Sequence, residues 1–273
     1  MARTAFAIIF PAQARFPLLR VRQTIRLKNV TVIFFFFNGT KPLFPLPFFF
    51  EAKPENFSSG KIFSYVSDCN WFVNAAHGYD TQHFDAVHDR KLSAPPQIDC
   101  PHPFARRNRY RAEVLGRTTM DKFLKIFAGR TVEISITNWG GTFVLITGDF
   151  DRAHSRFLIA TQPLDGGKTL CEGIVFAPRL ANPLARILFG PLALASRRFF
   201  THGYLKDEAG RLLGTRYNAA TMIPHDRDMI GFFNWVVALP QNADQLHSPT
   251  IESLNHNGAQ TDRFKTTKSA ALI

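Results

Sequence analysis

The stretch VEISITNWGGTFVLIT, residues 132–147, decides the fold class. Apolar and polar side chains alternate from Val132 to Thr137, which is the period of a strand with one buried face. The run Asn138-Trp139-Gly140-Gly141 predicts a turn, because glycine adopts the positive φ angles that tight hairpins need. Thr142 to Thr147 then predicts the returning strand, so the sequence indicates an antiparallel hairpin.

Similar patterns continue on both sides of this hairpin. Tyr110 to Leu115 and Phe123 to Phe127 are strand candidates before it. After it, Phe157 to Thr161 and Thr169 to Phe176 flank a second turn at Asp165-Gly166-Gly167. Together these segments predict an antiparallel meander with one covered face.

The segments nearer the N-terminus are less regular. Val30 to Phe37 predicts a buried strand and Lys61 to Val66 a further strand. Pro42 to Pro54, rich in proline and phenylalanine, predicts an extended connection, and Asp89 to Pro103 predicts a loop.

Helical spacing marks three segments. Apolar residues recur every three or four positions from Cys69 to His88, where Gly78 favours two short helical pieces. Leu184 to Phe199 predicts a long helix with a kink at Pro191, and Asp226 to Leu239 predicts a final short helix. Strands followed by helices predict an α+β fold, a curved antiparallel sheet with helices against one face.

Composition limits the remaining choices. The chain has 273 residues, 45% of them hydrophobic, so it can form a packed core. A formal charge of +12 admits nucleic acid, a membrane surface or an acidic protein partner. Because the sequence has no RNP-like motif, finger spacing or dense Lys/Arg run, we expect no nucleic-acid binding. Pro42, Pro45 and Pro47 interrupt the apolar stretch 31–50, which excludes a membrane-spanning helix there.

Three cysteines, Cys69, Cys100 and Cys171, are too few and of the wrong parity for a disulfide framework. This usage is typical of a reducing compartment, so we expect a cytoplasmic location.

The segment NAAHGYDTQHFDAVH, residues 74–88, carries the chemistry. Asp80 and His83 are three residues apart and share a helical face, and His88 follows near the helix end. Two imidazoles and one carboxylate form the facial triad that binds iron in non-haem oxygenases. The histidines could equally be ordinary core or interface residues. His77 lies off the motif, which favours a solvated or supporting role.

This D-x2-H-x4-H pattern, with an Asn ahead of it and Phe84 after the first histidine, resembles the catalytic domain of Rieske non-haem iron oxygenases. The resemblance covers residues 30–240 and implies a helix-grip, START-like fold. It further implies that His83 and His88 bind iron(II), and that Asp80 connects to the iron–sulfur cluster of a neighbouring subunit.

The third ligand of that family is an Asp far downstream. Here the similar segment contains Asp207, 119 residues after His88, and the resemblance makes it the expected ligand. Glu208 and Asp228 are the alternatives.

The chain departs from the family in its cysteines. A Rieske cluster needs C-x-H followed by C-x2-H. Cys100-Pro101-His102 has the first spacing but lies after the triad, and Cys171 is followed by Glu172-Gly173-Ile174. The [2Fe–2S] cluster of the family is therefore not expected in this chain, and the chain is expected to be a fragment or to have a replaced N-terminus.

We expect four segments. Residues 1–29 form no domain, 30–66 are a remnant leading out of a Rieske domain, 67–240 form the iron domain, and 241–273 are a polar tail.

The resemblance implies an aromatic ring-hydroxylating type of oxygenase that uses iron(II) and dioxygen. Its substrate would be a small aromatic or steroid-like molecule, held in a pocket between the sheet and the helix 184–199. A ferredoxin or reductase would supply electrons, and the chain would form a homotrimer. Two alternatives remain, a non-catalytic module that binds an apolar ligand in the same fold and a basic protein that binds nucleic acid.

Overall fold

The computed structural model describes residues 3–7, 21–27, 30–36, 47–50 and 52–239, the first three segments as backbone only. The predicted tail, residues 241–273, lies outside the described residues, as do most of residues 1–29 and part of the connection 42–54. Strands β1 (Arg3–Ala7), β2 (Val21–Leu27) and β3 (Val30–Phe36) form a sheet in the order β1-β3-β2. The predicted strand at residues 30–37 is confirmed, whereas its burial is not described.

A second sheet of nine strands makes the body of the described fold. The strands are β4 (Phe57–Ser59), β5 (Phe63–Ser67), β6 (Arg90–Leu92), β7 (Gln97–His102), β8 (Ala105–Val114), β9 (Thr131–Trp139), β10 (Phe143–Phe150), β11 (His154–Pro163) and β12 (Thr169–Pro178). Their order is β4-β12-β11-β10-β9-β8-β6, with β5 also paired to β12 and β7 to β8, and all these pairings are antiparallel. The α+β class and the predicted meander are confirmed.

The central hairpin is confirmed, but its turn begins two residues later than predicted. Trp139 pairs with Phe143 and Ile136 with Ile146, so Asn138 and Trp139 belong to β9 and the turn comprises residues 140–142. Both glycines have positive φ, 55° and 76°. A side chain at Gly141 would also press on the ring of Trp71 at 3.3 Å, so this turn requires glycine for two reasons.

Two local predictions are wrong. The segment 89–103 is not a loop, because β6 and β7 both form there against β8. The segment 123–127 is not a strand but the end of helix α3 (Thr119–Phe127). Thr118 caps that helix by accepting a hydrogen bond from the Asp121 amide at 3.1 Å, a local signal that outweighs the strand preference of the phenylalanines.

The remaining helices agree with the spacing in the sequence. Residues 69–88 form two short helices, α1 (Trp71–Ala76) and α2 (Thr81–Ala86), joined by one 3-10 turn (His77–Tyr79). Helix α4 (Pro183–Arg211) contains Pro191, and α5 (Arg227–Val237) follows it.

Both faces of the nine-stranded sheet are packed, so the prediction of one covered face is wrong. Val144 belongs to the core under the helices, whereas the next residue, Leu145, belongs to a second core on the reverse face. Helices α1, α2, α4 and α5 contribute residues to the core that contains Val144, whereas the described residues of α3 do not. Phe49 is 6% exposed in the second core, where Phe48 and Phe50 also pack. The phenylalanine-rich segment before β4 therefore covers the reverse face.

The sequence predicted that the apolar stripe of the helix 184–199 lines a pocket. The structure shows otherwise, because that stripe of α4 is exposed. Leu184, Leu188 and Leu192 are 66–71% exposed, and the buried residues of this helix are Thr201, Leu205 and Glu208 near its C-terminal end. Periodicity identifies residues that share a face but not what that face contacts. Among the described residues, no helix combines the length and apolarity needed to cross a membrane.

Candidate metal centre

Asp80 organises the start of α2. Its side-chain Oδ1 accepts a hydrogen bond from the Gln82 amide at 3.0 Å, the usual role of an aspartate N-cap. Its main-chain carbonyl accepts a hydrogen bond from Nδ1 of His83. Because Nδ1 carries the proton in that contact, Nε2 of His83 keeps the free lone pair.

His88 lies just beyond α2, where the chain reverses into β6. Asp89 has a φ of 56°, an unfavourable value for a non-glycine residue, and its carboxylate accepts hydrogen bonds from the amide and side chain of Arg117. Arg90 donates a hydrogen bond to the carbonyl of His88 at 2.8 Å. These contacts fix the reversal that brings the His88 ring beside His83, with ring centroids 4.8 Å apart.

Glu208 is the carboxylate that meets these histidines. Its Oε1 lies 2.8 Å from Nε2 of His88, and one donor atom each from His83, His88 and Glu208 lies within 4.8 Å of the other two. Two metal bonds of about 2.1 Å at right angles place their ligand atoms about 3.0 Å apart. The 2.8 Å between Oε1 of Glu208 and Nε2 of His88 is therefore suitable for two ligands of one ion.

Two further side chains surround this cluster. Nδ1 of His77 lies 2.7 Å from Oε2 of Glu208, and the His77 ring stacks on His83 with centroids 4.0 Å apart. The hydroxyl of Tyr204 lies 3.0 Å from Nε2 of His88. His77, Asp80 and His83 also form a second group whose donor atoms lie within 4.8 Å of one another.

The protonation states suit cation binding. Burial, together with the nearby His77 and His88, lowers the pKa of His83 to about 3, so this imidazole is neutral at pH 7. Burial by itself would raise the pKa of Glu208, but the contacts with His77 and His88 hold it below its ordinary value. Oε1 of Glu208 is buried and faces Nε2 of His88 at 2.8 Å. A buried, ionised oxygen of this kind is a suitable metal ligand.

The structure brings His83 and His88 together but leaves Asp207 apart. Asp207 is exposed and belongs to neither group of potential ligands, because one residue along a helix rotates a side chain by about 100°. Asp228 also lies outside both groups. Glu208, an alternative in the sequence, occupies the place expected for Asp207. The sequence contains a signal that favours Glu208 over Asp207. Glu208 recurs at helical spacing with Thr201 and Leu205, and the three residues share the buried face.

The remaining sequence candidates lie elsewhere. Asp80 contributes its cap and its carbonyl and belongs to the second group rather than to the group containing Glu208. Cys100 is exposed, and Nδ1 of His102 accepts a hydrogen bond from the Phe104 amide at 3.1 Å. Sequence reasoning missed the contact of His77 with Glu208 and that of Tyr204 with His88, because the residues of each pair are more than 100 positions apart.

A cavity of about 60 Å³ opens beside the cluster, between the helices and the sheet. His77, His83 and Glu208 contribute to its wall, and most of the other lining residues are apolar, among them Ile136, Val144 and Ile159. The cavity has room for a few water-sized molecules, whereas pockets for drug-sized ligands measure about 300–1,000 Å³. An organic substrate would therefore require the helices to move away from the sheet.

No family model and no curated protein matches the sequence. Among solved structures, NdmA of Pseudomonas putida CBB5 with caffeine is 14% identical, with a TM-score of 0.49 over 81% of this chain and 63% of that one. Dicamba monooxygenase bound to dicamba is 12% identical, with a TM-score of 0.44 over 67% of this chain and 58% of that one. A quaternary ammonium Rieske monooxygenase is 10% identical, with a TM-score of 0.45 over 68% of this chain and 51% of that one.

This chain thus spans roughly three fifths or less of the length of these three proteins. At such identities, and with TM-scores below 0.5, the similarity does not bear on chemistry. The case for a metal centre rests on the side chains described above.

Proposed function

We propose that His83, His88 and Glu208 bind one mononuclear non-haem iron(II) ion and that this chain is the catalytic domain of an oxygenase. The observation that carries the proposal is the cluster of two imidazoles and one carboxylate, in which His83 and Glu208 are buried and His88 is half-buried. Three protein ligands of this kind leave coordination positions open for dioxygen and water.

Local contacts prepare two of these ligands, His83 and Glu208, to bind the ion. The Asp80 carbonyl holds the proton on Nδ1 of His83 and leaves Nε2 to bind the ion. Glu208 offers Oε1, a buried oxygen that lies 2.8 Å from Nε2 of His88. Iron bound here would supply the activation of dioxygen, which protein side chains alone do not provide.

The apolar wall of the cavity supports the proposal of an apolar substrate. Once the helices move away from the sheet to admit it, an aromatic or steroid-like molecule near the metal would contact Ile136, Val144 and Ile159. We further propose that residues 67–240 form the catalytic domain and that this domain has a helix-grip, START-like architecture. Electrons would come from a ferredoxin or reductase, in a homotrimer as the family resemblance implies.

A second candidate is a non-catalytic module that binds an apolar ligand in the same cavity. The apolar lining favours it, as does the lack of the C-x2-H element in the sequence. Iron content separates the two candidates, since a plain binding module has no need of the metal.

The test is the iron content of the full chain after anaerobic loading with iron(II) and removal of excess metal. We expect about one iron per chain, with large losses in His83→Ala, His88→Ala and Glu208→Ala. Asp207→Ala is the matched control, because it removes the adjacent exposed carboxylate and should leave iron unchanged. Full iron in all three ligand variants would contradict the proposed site.

Activity requires a separate assay because the chain lacks a cluster motif. Hydrogen peroxide supplies both oxygen and electrons, so it can replace the reductase in a single turnover with an aromatic probe. Hydroxylated product that depends on His83 would support an oxygenase, whereas bound iron without any product would contradict the proposed oxygenase activity.

A further inference from the structure

His77 stands outside the proposed ligand set and yet contacts it at two points. Its Nδ1 lies 2.7 Å from Oε2 of Glu208, and its ring stacks on His83 at 4.0 Å. Its side chain is only 18% exposed, so the contact with Glu208 is poorly accessible to competing water. These contacts raise the question of whether His77 supports the site through its hydrogen bond or through its ring.

We infer that His77 is a positioning residue, whose Nδ1–H holds Oε2 of Glu208 so that only Oε1 faces the two ligand histidines. The inference rests on the proposed metal site and assigns a role to a residue outside it. A carboxylate has two equivalent oxygens and can rotate between one-oxygen and two-oxygen binding. A donor fixed on Oε2 removes that freedom, and Oε1 is indeed the oxygen that lies 2.8 Å from Nε2 of His88.

The backbone around His77 is held firmly enough for this role. The carbonyl of Gly78 accepts hydrogen bonds from the hydroxyl of Tyr110 and from Nδ2 of Asn108, the latter at 3.3 Å. The hydroxyl of Tyr79 donates to the carbonyl of Arg106 at 3.1 Å. A Cβ at Gly78 would lie 3.1 Å from the side chain of Ile136, so this turn sits directly on the sheet. The His77 donor is therefore attached to the sheet and not to a loose loop.

His77 and Glu208 are held by different parts of the fold. Glu208 belongs to α4, whose N-terminal half is largely exposed, whereas His77 belongs to the turn packed on β9. The contact between them ties the buried end of α4 to the sheet. Without it, Glu208 could turn both oxygens toward the histidines or withdraw with its helix.

Two substitutions separate the hydrogen bond from the stacked ring. His77→Asn places an amide N–H close to the position of Nδ1 and removes the ring, whereas His77→Phe keeps a ring and removes the donor. The readout is the dissociation constant of iron(II) for the full chain, measured anaerobically by competition with a chelator. The melting temperature of each metal-free variant is recorded beside it.

We expect His77→Phe to weaken iron binding about 10–100-fold, the range for groups that orient a metal ligand, and His77→Asn to stay within about threefold of the unsubstituted chain. The opposite order would assign the effect to stacking and overturn the inference, and so would equal losses or no loss in both variants. If His77→Phe does not fold, His77→Ala carries the same prediction. Absence of iron from the unsubstituted chain would overturn the metal site itself, and this inference with it.

Discussion

Metal binding should stabilise the folded chain, and Glu208→Gln should remove most of that stabilisation. The substitution keeps the size of the side chain but removes the negative charge on Oε1, the buried oxygen that we assign to the metal. Because Asp207 is exposed and adjacent, Asp207→Asn makes the same chemical change outside the site.

The expected size follows from binding linkage and from the size of the fold. A metal at 100 times its dissociation constant stabilises the folded state by about 2.7 kcal/mol. In a folded unit the size of residues 52–239, this corresponds to a rise of about 5–11 °C in Tm. Loss of a direct ligand should weaken binding by at least about 100-fold, since supporting groups alone account for about 10–100-fold. At the same metal concentration the stabilisation then falls to about 0.4 kcal/mol, or about 1–2 °C.

The assay is thermal unfolding of each protein with and without metal, under anaerobic conditions for iron(II) or with cobalt(II) as a less oxidisable substitute. Comparing each variant with its own metal-free form cancels any direct effect of the substitution on folding. A full metal shift in Glu208→Gln would refute the assignment of this carboxylate. Loss of the shift in Asp207→Asn but not in Glu208→Gln would restore the ligand expected from the sequence.

Three further predictions concern other parts of the chain. Asp80→Ala should lower the free energy of unfolding by about 1 kcal/mol through loss of the helix cap, while iron content stays unchanged because His83 is held by a main-chain carbonyl. Phe49→Ala should destabilise the fold by about 3–5 kcal/mol in urea denaturation, because the residue is buried on the reverse face of the sheet. The isolated chain should show neither iron–sulfur absorbance nor repeated turnover with a ferredoxin and reductase, since the sequence lacks C-x2-H.

Each of these has a control or a contrary result. A large loss of iron in Asp80→Ala would mean that its carboxylate acts at the metal. Leu188→Ala, at an exposed site, should change stability by no more than about 0.5 kcal/mol and so calibrates the effect at Phe49. Cluster absorbance accompanied by acid-labile sulfide would show that the ligands of an iron–sulfur centre had been overlooked.

The fold class could be predicted because the strands and turns have strong local signals. The alternation in residues 132–147 and the glycine pair in its turn define a hairpin without reference to the rest of the chain. The packing of Phe49 against the reverse face could not be predicted, because it joins the segment before β4 to strands about 100 residues away. The exposure of Leu184 and Leu188 could not be predicted for a similar reason, since spacing does not identify the surface that a helix face contacts.

The candidate site was only partly predictable for the same physical reason. His83 and His88 lie on one short segment, and local geometry brings them together. The carboxylate comes from α4, and the choice between Asp207 and Glu208 depends on the rotation of that helix against the sheet. Tertiary packing determines that rotation, and it places Glu208 inward and Asp207 in solvent; the helical spacing of Glu208 from Thr201 and Leu205 is only a partial signal of it.

The most direct measurement of the central claim is a crystal structure of the iron-loaded chain with diffraction data collected at the iron absorption edge. The account predicts a single anomalous peak within bonding distance of His83, His88 and Oε1 of Glu208, with His77 bonded to the other carboxylate oxygen. A peak at Asp207 or elsewhere, or iron-loaded crystals with no peak near these histidines, would contradict it.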